Sequence, residues 1–382
     1  MIGVIADDLT GAAELGAIGW RHGLRSEIVR LGKPSRVADL VCMDTDSRAS
    51  EPEEAAKRAA MAAKLLRAAG AKWIYKKVDS VLRGQVTAEV EAVMKQLKLQ
   101  RALLLPANPS LGRTIRNGEY FLRGRPLHKT EFAQDPHFPR RSSQVLRLVK
   151  VPETFSMRVA DGGRSLTDGI ILVADAESPA DLASWTGSCD AQMLPAGGAE
   201  FFNALLAAGN QGRTTGAEET NFSAGKEFFI VGTSTQAARK FVAAERRKKT
   251  PVFSLPQELA WGATFSAAAV AAVAARVNDS LAGGSRVILS VGLPQVRAAD
   301  VAGRLSGHVV RVAEQVLRQT RIDKIFAEGG ATAAELVRRM GWARLEVVRE
   351  LAPGVATLAV EGDKTVLLTI KPGSYLWPAK WT

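Results

Sequence analysis

The sequence predicts a two-domain α/β protein, each domain a mostly parallel sheet flanked by helices. Three observations carry this fold class. Short apolar runs alternate with longer helical stretches, the crossovers that parallel strands need. A chain of 382 residues exceeds what one hydrophobic core usually fills. The alternation is broken once, from Gly209 to Gly225, by GNQGRTTGAEETNFSAG, which holds little apolar mass and reads as a linker. The domains are therefore expected at 1–208 and 226–382, joined by 209–225.

In the first domain, strands are expected at Ile2 to Ile5, Ser26 to Leu31, Leu40 to Met43, Trp73 to Val78, Ala102 to Leu105 and Ile170 to Ala174. Each is β-branched or leucine-rich and bounded by turn residues. The first helix should begin near Thr10. The helix after the third strand is well marked, with Ser50 as N-cap, Pro52 in its first turn, Glu53 completing a capping box and Gly70 ending it. In the second domain, strands are expected at Glu227 to Val231, Val252-Phe253, Arg286 to Ser290, Lys324 to Phe326 and Thr365 to Ile370, with a helix from Gln236. No repeat of solenoid period interrupts this order.

Apolar residues at 46% and charged residues at 24% exclude disordered and fibrous classes. Cys42 and Cys189, far apart, exclude a disulfide framework and a CxxC metal site. No apolar run reaches the ~20 residues that cross a bilayer, so no membrane partner is expected. Asp7 and Asp8 interrupt the stretch a signal peptide would need, and a cytoplasmic enzyme is the expectation. The net charge of +12 suits anionic ligands. The basic residues are scattered and lack aromatic interleaving, so no nucleic-acid partner is expected.

Four constellations carry chemistry. Asp7-Asp8-Leu9-Thr10-Gly11 follows the first strand, at the edge where open α/β sheets place ligands. A helix cap would explain one acid. Two acids, a hydroxyl and a glycine fit a polyhydroxy substrate, a metal, or a proton to be moved. After the fourth strand comes Lys76-Lys77-Val78-Asp79-Ser80-Val81-Leu82-Arg83-Gly84. Snorkelling would explain the lysines, but Asp79, Ser80 and Arg83 crowd one turn, as around an anionic group.

The third constellation, from Pro106 to Glu131, is proline-punctuated and polar and reads as a long irregular binding loop. His128 within it is a secondary acid–base candidate, set against an ordinary hydrogen-bonded loop histidine. The fourth lies in the second domain: Gly232-Thr233-Ser234, Ala327-Glu328-Gly329-Gly330-Ala331-Thr332 and Lys371-Pro372-Gly373-Ser374. Small residues let backbone amides approach phosphate at a helix N-terminus. Neither GxxxxGK[ST] nor GxGxxG occurs, so each turn alone is ordinary, but three in one domain point to a nucleotide.

The strings IADDLTGAAE, MDTDSRAS, YKKVDSVLRG, LPANPSLGRTIRNGEYFLRGRPLHKTEFAQDP, VGTSTQAAR and FAEGGATAAEL, in this order, resemble the four-carbon acid sugar kinase family over nearly the whole chain. The resemblance implies an N-terminal acid-sugar domain and a C-terminal nucleotide domain that use ATP to phosphorylate a hydroxyl of a threonate, erythronate or 3-oxo-tetronate type acid. It implies that Asp7, Asp8, Asp44, Asp46, Ser47, Arg48, Lys77, Asp79, Ser80 and Arg83 surround the acid. Gly232, Thr233, Ser234, Gly329, Gly330, Thr332, Lys371, Gly373 and Ser374 would hold ATP. The chain departs from the family pattern at Ala331, where a glutamate is usual, and after Lys371, where the pattern is richer in glycine.

Chemistry adds expected roles. Arg83 with Lys77 or Arg48 would clamp the carboxylate, and Asp7 or Asp8 would orient or deprotonate the attacking hydroxyl. Mg²⁺ would bridge the phosphates, with no protein ligand assigned. Transfer in the interdomain cleft would exclude water. A homodimer is compatible with this organisation. Two other classes fit parts of the chain. An NAD(P)-dependent hydroxy-acid oxidoreductase would need a dinucleotide fingerprint where Asp7-Asp8 stands. A non-catalytic acid-sugar sensor would suit the altered C-terminal turn.

Overall fold

The computed structural model of the protein describes residues 1–30, 32–135, 138–150, 152–160, 168–209, 225–256, 266–292, 299–373 and 375–378. Two compact units divide the chain, Met1–Ala217 and Glu218–Thr382. Residues 210–224 of the expected linker and the candidate Ser374 lie outside the described residues.

The first unit begins β1 (Ile2–Ala6), α1 (Leu9–Arg21), β2 (Ser26–Val29), β3 (Leu40–Asp44), α2 (Pro52–Ala68), β4 (Trp73–Lys77), α3 (Val86–Leu97) and β5 (Arg101–Leu105). It continues with β6 (Arg113–Arg116), β7 (Glu119–Leu122), β8 (Arg125–Pro126), α4 (Val145–Leu148), β9 (Ser156–Val159), β10 (Ile170–Val173), α5 (Pro179–Thr186), β11 (Met193–Gly197) and α6 (Ala199–Gly209). A parallel sheet runs β2-β3-β1-β4-β11-β5-β10-β9. From β1 the chain passes β3 to reach β2, and from β3 it returns past β1 to β4. That reversal makes the carboxyl ends of β1, β3 and β4 a topological switch point, where diverging loops leave a crevice.

Two expectations are corrected here. The α2 N-cap is Glu51, without a side-chain cap bond, and Pro52 is the first helical residue. Ser50 falls one position early because its N–H closes a turn onto the Ser47 carbonyl. The polar stretch after β5 is not irregular, since β6, β7 and β8 pair as an antiparallel sheet that buries Ile115, Tyr120 and, just beyond it, Leu127. The strands β9 and β11 were not anticipated. In β11, Met-Leu-Pro-Ala-Gly carries a proline that donates nothing to a ladder, yet all five residues are buried between β4 and β5.

The second unit contains β12 (Glu227–Val231), α7 (Gln236–Arg247), β13 (Val252–Ser254), α8 (Ala267–Gly283), β14 (Arg286–Ser290), α9 (Ala299–Gln319), β15 (Lys324–Glu328), α10 (Gly330–Met340), β16 (Arg344–Ala352), β17 (Val355–Val360) and β18 (Asp363–Lys371). Its strands run β13-β14-β12-β15-β18-β17-β16, parallel as far as β18 and antiparallel beyond. The chain again leaves its first strand one way, past β14 to β13, and recrosses it from β14 to β15. A second switch point therefore lies at the carboxyl end of β12. Phe229 stacks on Phe326 with centroids 4.2 Å apart, and Trp377 packs edge-on against both. No described helix is long and apolar enough to cross a membrane.

Candidate active site

The first switch point is an ion-pair network built on the acid pair. Asp7 follows β1 directly and is 3% exposed. Its carbonyl accepts the Ser47 and Arg48 N–H groups, which ties the β3–α2 loop to the strand end. Arg48 then reaches back, donating from Nε to Asp7 Oδ2 at 2.7 Å, from Nη2 to Asp7 Oδ1 at 2.9 Å and from Nη1 to Asp8 Oδ2 at 2.7 Å. Asp8 Oδ1 accepts the Gly11 N–H at 2.8 Å and caps α1. The capping role and the charged role therefore coexist in Asp8, whereas Asp7 is sealed against Arg48.

The turn after β4 joins this network. Asp79 accepts from Arg83 Nε at 3.0 Å and Nη2 at 2.8 Å, and from the Val81 and Arg83 N–H groups, both at 3.1 Å. Arg83 also donates to Asp135 at 3.3 Å, and Arg48 Nη1 lies 3.7 Å from Asp79. Gly84 has φ +84, and a Cβ there would stand 3.3 Å from both Asp7 Oδ2 and Arg48 Cγ. Glycine both permits this backbone and clears room for the pair.

The remaining candidates stand around this centre. Lys77 Nζ donates to the Val78 carbonyl at 2.9 Å and lies 3.5 Å from Glu14. Asp44 and Asp46 share Arg30, at 3.1 and 2.6 Å. The Ser47 hydroxyl is fully buried and donates to Glu89, which also pairs with buried Lys76 at 2.8 Å. Ser80 Oγ accepts from Arg113, and its carbonyl accepts the Tyr120 hydroxyl. His128 Nδ1 is 2.8 Å from Ser143 Oγ, a hydrogen-bonded loop histidine.

The network divides its carboxyls into two electrostatic kinds. Burial alone would push Asp7 up, but the charge and hydrogen bonds of Arg48, with Lys76 behind, hold it below the ordinary carboxylate value. Asp79 is held well below that value, as Arg83, Arg48 and Lys77 outweigh its burial. Asp44 goes the other way. Burial pushes it up to about 7, and Arg30 only partly offsets this. Burial also raises Glu89 despite Lys76.

In the second unit, the three small-residue turns converge. A Cβ on Gly232 would stand 2.0 Å from Thr332 Oγ1, so only glycine lets these two loops touch. The Gly329 N–H donates to the Lys371 carbonyl at 2.9 Å, and Thr235 Oγ1 donates to the Gly373 carbonyl at 3.1 Å. The N-termini of α7 and α10 thus open beside one another. Thr233, Ser234, Arg239, Arg246, Ser290 and Gly292 line a cavity of about 290 Å³ between α7 and the ends of β12 and β14.

Lys371 is fully buried, with Nζ 3.4 Å from Glu328 and donating to the Pro372 and Tyr375 carbonyls at 3.0 and 2.6 Å. Burial lowers its proton affinity, and Glu328 opposes the shift. Glu328 itself is raised by burial and accepts the Trp377 indole N–H at 2.7 Å.

A family model described as a sugar-binding N-terminal domain matches residues 2–205, and one described as a nucleotide-binding C-terminal domain matches 228–375. A D-threonate kinase of Cupriavidus necator H16 is 30% identical across 98% of this chain and 96% of its own length. The chain belongs to the four-carbon acid sugar kinase family.

Within that family, a D-threonate kinase of Salmonella typhimurium LT2 is 36% identical over 53% of this chain and 52% of its own length. A 3-oxo-tetronate kinase of Pseudomonas fluorescens Pf-5 is 25% identical over 98% of this chain and 94% of its own. Two solved structures share the fold, each aligned over 98% of this chain and 96% of the other. One is from Salmonella typhimurium LT2, with TM-score 0.82 and 20% identity. The other is from Haemophilus influenzae, with TM-score 0.71 and 21% identity.

Residues of this acid sugar kinase that sequence reasoning did not single out include Arg30, Glu89, Asp135, Arg140 and Arg239. Glu89 carried a signal: it stands on the apolar stripe of α3, three positions after Val86 and four before Val93. The arginines carried none, because an isolated arginine reads the same whether it meets a ligand or water.

Proposed function

We propose that this acid sugar kinase transfers the terminal phosphoryl group of ATP to a hydroxyl of a four-carbon sugar acid. D-threonate stands ahead of the 3-oxo-tetronates, because identity across the whole chain is 30% to a D-threonate kinase and 25–26% to the 3-oxo-tetronate kinases. The observation that carries the reading is the acid pair at the end of β1, held by one arginine in the unit that matches a sugar-binding domain.

The two acids differ in access. Asp8 keeps 24% of its side chain exposed and Asp7 3%. Asp8 is therefore the group to receive the hydroxyl proton as the new P–O bond forms and ADP leaves with the electrons of the broken one. Asp7 fixes the guanidinium of Arg48. The transition state of phosphoryl transfer is loose, so positioning matters more than base strength.

The nucleotide's base and ribose fit the cavity beside α7, and its phosphates fit the turns around Thr233 and Gly329, where small residues and two helix N-termini offer N–H groups. Among the described residues no three His, Cys, Asp or Glu side chains converge on a metal position. This donor set fits Mg²⁺ carried mainly by the phosphates and water rather than by a cage of protein carboxylates. When bound, the ion neutralises phosphate charge. The reading requires the acid held by the first unit to meet the phosphoryl group held by the second.

An assay coupling ADP release to threonate, erythronate and 3-oxo-tetronate, with phosphorus NMR of the product, tests it. Acid-dependent ADP and a phosphate monoester are expected. No ADP above background with any acid would sink the reading.

A further inference from the structure

A four-carbon acid brings a carboxylate into the first unit, and recognition favours a cation that is not already neutralised. Around the ends of β1, β3 and β4 most cations are committed. Arg30 faces Asp44 and Asp46, Arg48 faces Asp7 and Asp8, Lys76 faces Glu89, Lys77 faces Glu14, and Arg83 faces Asp79 and Asp135.

Two arginines beside the same turn differ. Arg140 is 7% exposed, and its hydrogen bonds go to neutral acceptors, from Nε to the Phe138 carbonyl at 2.7 Å and from Nη1 to the Leu82 carbonyl at 2.9 Å. Its Nη2 has no partner among the described residues. Arg113 donates from Nη1 to Ser80 Oγ, and its Nε is buried without a hydrogen-bond partner. Neither arginine has a carboxylate within ion-pair distance among the described residues.

The charges of Asp79 and Asp135 reach Arg140 without pairing it, and Arg113 is half-buried with its Nε sealed. A desolvated guanidinium whose hydrogen bonds go only to neutral acceptors is costly unless an anion completes it. Both arginines also brace one turn, at Ser80 and at Leu82, whose φ of +62 is a conformation a branched side chain rarely adopts. The bracing pre-orients their remaining N–H groups, which lowers the ordering cost of binding.

We infer that Arg113 and Arg140 are the receptor for the substrate's carboxylate. The inference rests on the sugar-acid reading and deepens it. Arg48 and Arg83 then serve to orient Asp7, Asp8 and Asp79, and the acid end of the substrate lies against the 79–84 turn.

The test compares the acid with the uncharged tetritol of the same carbon skeleton, in wild type and in Arg140→Met and Arg113→Met, with melting temperature and the KM for ATP recorded alongside. Each Met variant should lower kcat/KM for the acid about a hundredfold, the scale of one lost charge-assisted bond. The rate on the tetritol and the KM for ATP should hold within about twofold. Where a Met variant folds poorly, Arg140→Lys and Arg113→Lys take its place. They keep the charge but lose the fork, and should lower the acid's kcat/KM about tenfold with the tetritol unchanged. Folded variants that keep the acid preference overturn the inference alone. A wild type inactive on every acid overturns the functional reading and the inference with it.

Discussion

The two switch points of this molecule are built by the same topological device and lined by opposite chemistry. At the end of β1 stand Asp7, Asp8, Arg48, Asp79 and Arg83, paired by charge-assisted bonds between 2.7 and 3.0 Å, with Arg48 3.7 Å from Asp79. At the end of β12 stand glycines and hydroxyls, and the charged pair nearby, Glu328 with Lys371, is sealed beneath them. A charged lining preset by ion pairs suits a small ligand whose hydroxyls and carboxylate must be oriented one by one. A lining of small residues suits a phosphate chain, which takes its hydrogen bonds from the backbone. Topology supplies the crevice in both cases, and side-chain size and charge decide what enters it.

Removing the cation from the first lining should break the comparison most severely. Arg48→Ala leaves Asp7 buried without its partner, at a cost of about 3–5 kcal/mol, readable by urea denaturation. Nucleotide binding, measured by calorimetry, should survive in whatever fraction stays folded. Loss of both functions in folded protein would show that the two linings are not independent.

Asp8→Asn keeps the cap on α1 and removes the charge. Turnover should fall about 10²–10⁴-fold while ATP affinity stays within about twofold. Full activity in this variant would take the proton-accepting role away from Asp8.

On the second lining, Gly232→Ala drives a methyl into Thr332. Nucleotide affinity should weaken about tenfold, the consequence of ~1–3 kcal/mol of overpacking, with acid binding unchanged. Equal ATP titrations for variant and wild type would show that the Gly232–Thr332 contact is incidental.

The smallest effect concerns pH. Folded Asp44 keeps its proton up to about 7, whereas in the unfolded chain it loses it near 4. Its contribution therefore favours folding at low pH and is lost as pH rises through that window. Asp44→Asn should gain about 2–4 °C in melting temperature relative to wild type between pH 5 and 8. A pH-independent difference would mean that Arg30 compensates the charge fully. Asp79, held low by its arginines, has the opposite slope, and its contribution is lost only on acidification below about 4.

Much of the fold was legible because apolar runs bounded by turn residues need no distant information. The strands from Ile2, Leu40, Trp73, Glu227 and Arg286 were expected at their observed starts. Those that escaped notice had misleading local signals. Pro195 and Gly197, poor strand formers, hid β11, and the charges of β16 hid a strand paired along β17.

The sequence by itself determined which chemical groups stand at the strand ends: two acids after β1, a lysine–aspartate–arginine turn after β4, and glycine–hydroxyl turns in the second unit. Only the tertiary structure decided the partners. Arg48 meets Asp7 across 41 positions, Glu89 takes Lys76, and Arg113 and Arg140 brace the turn after β4 from the downstream hairpin and the segment beyond it. The physical reason is that a strand end is fixed by local apolar periodicity. An ion pair depends on which loops the sheet order brings together, and no residue records that order locally.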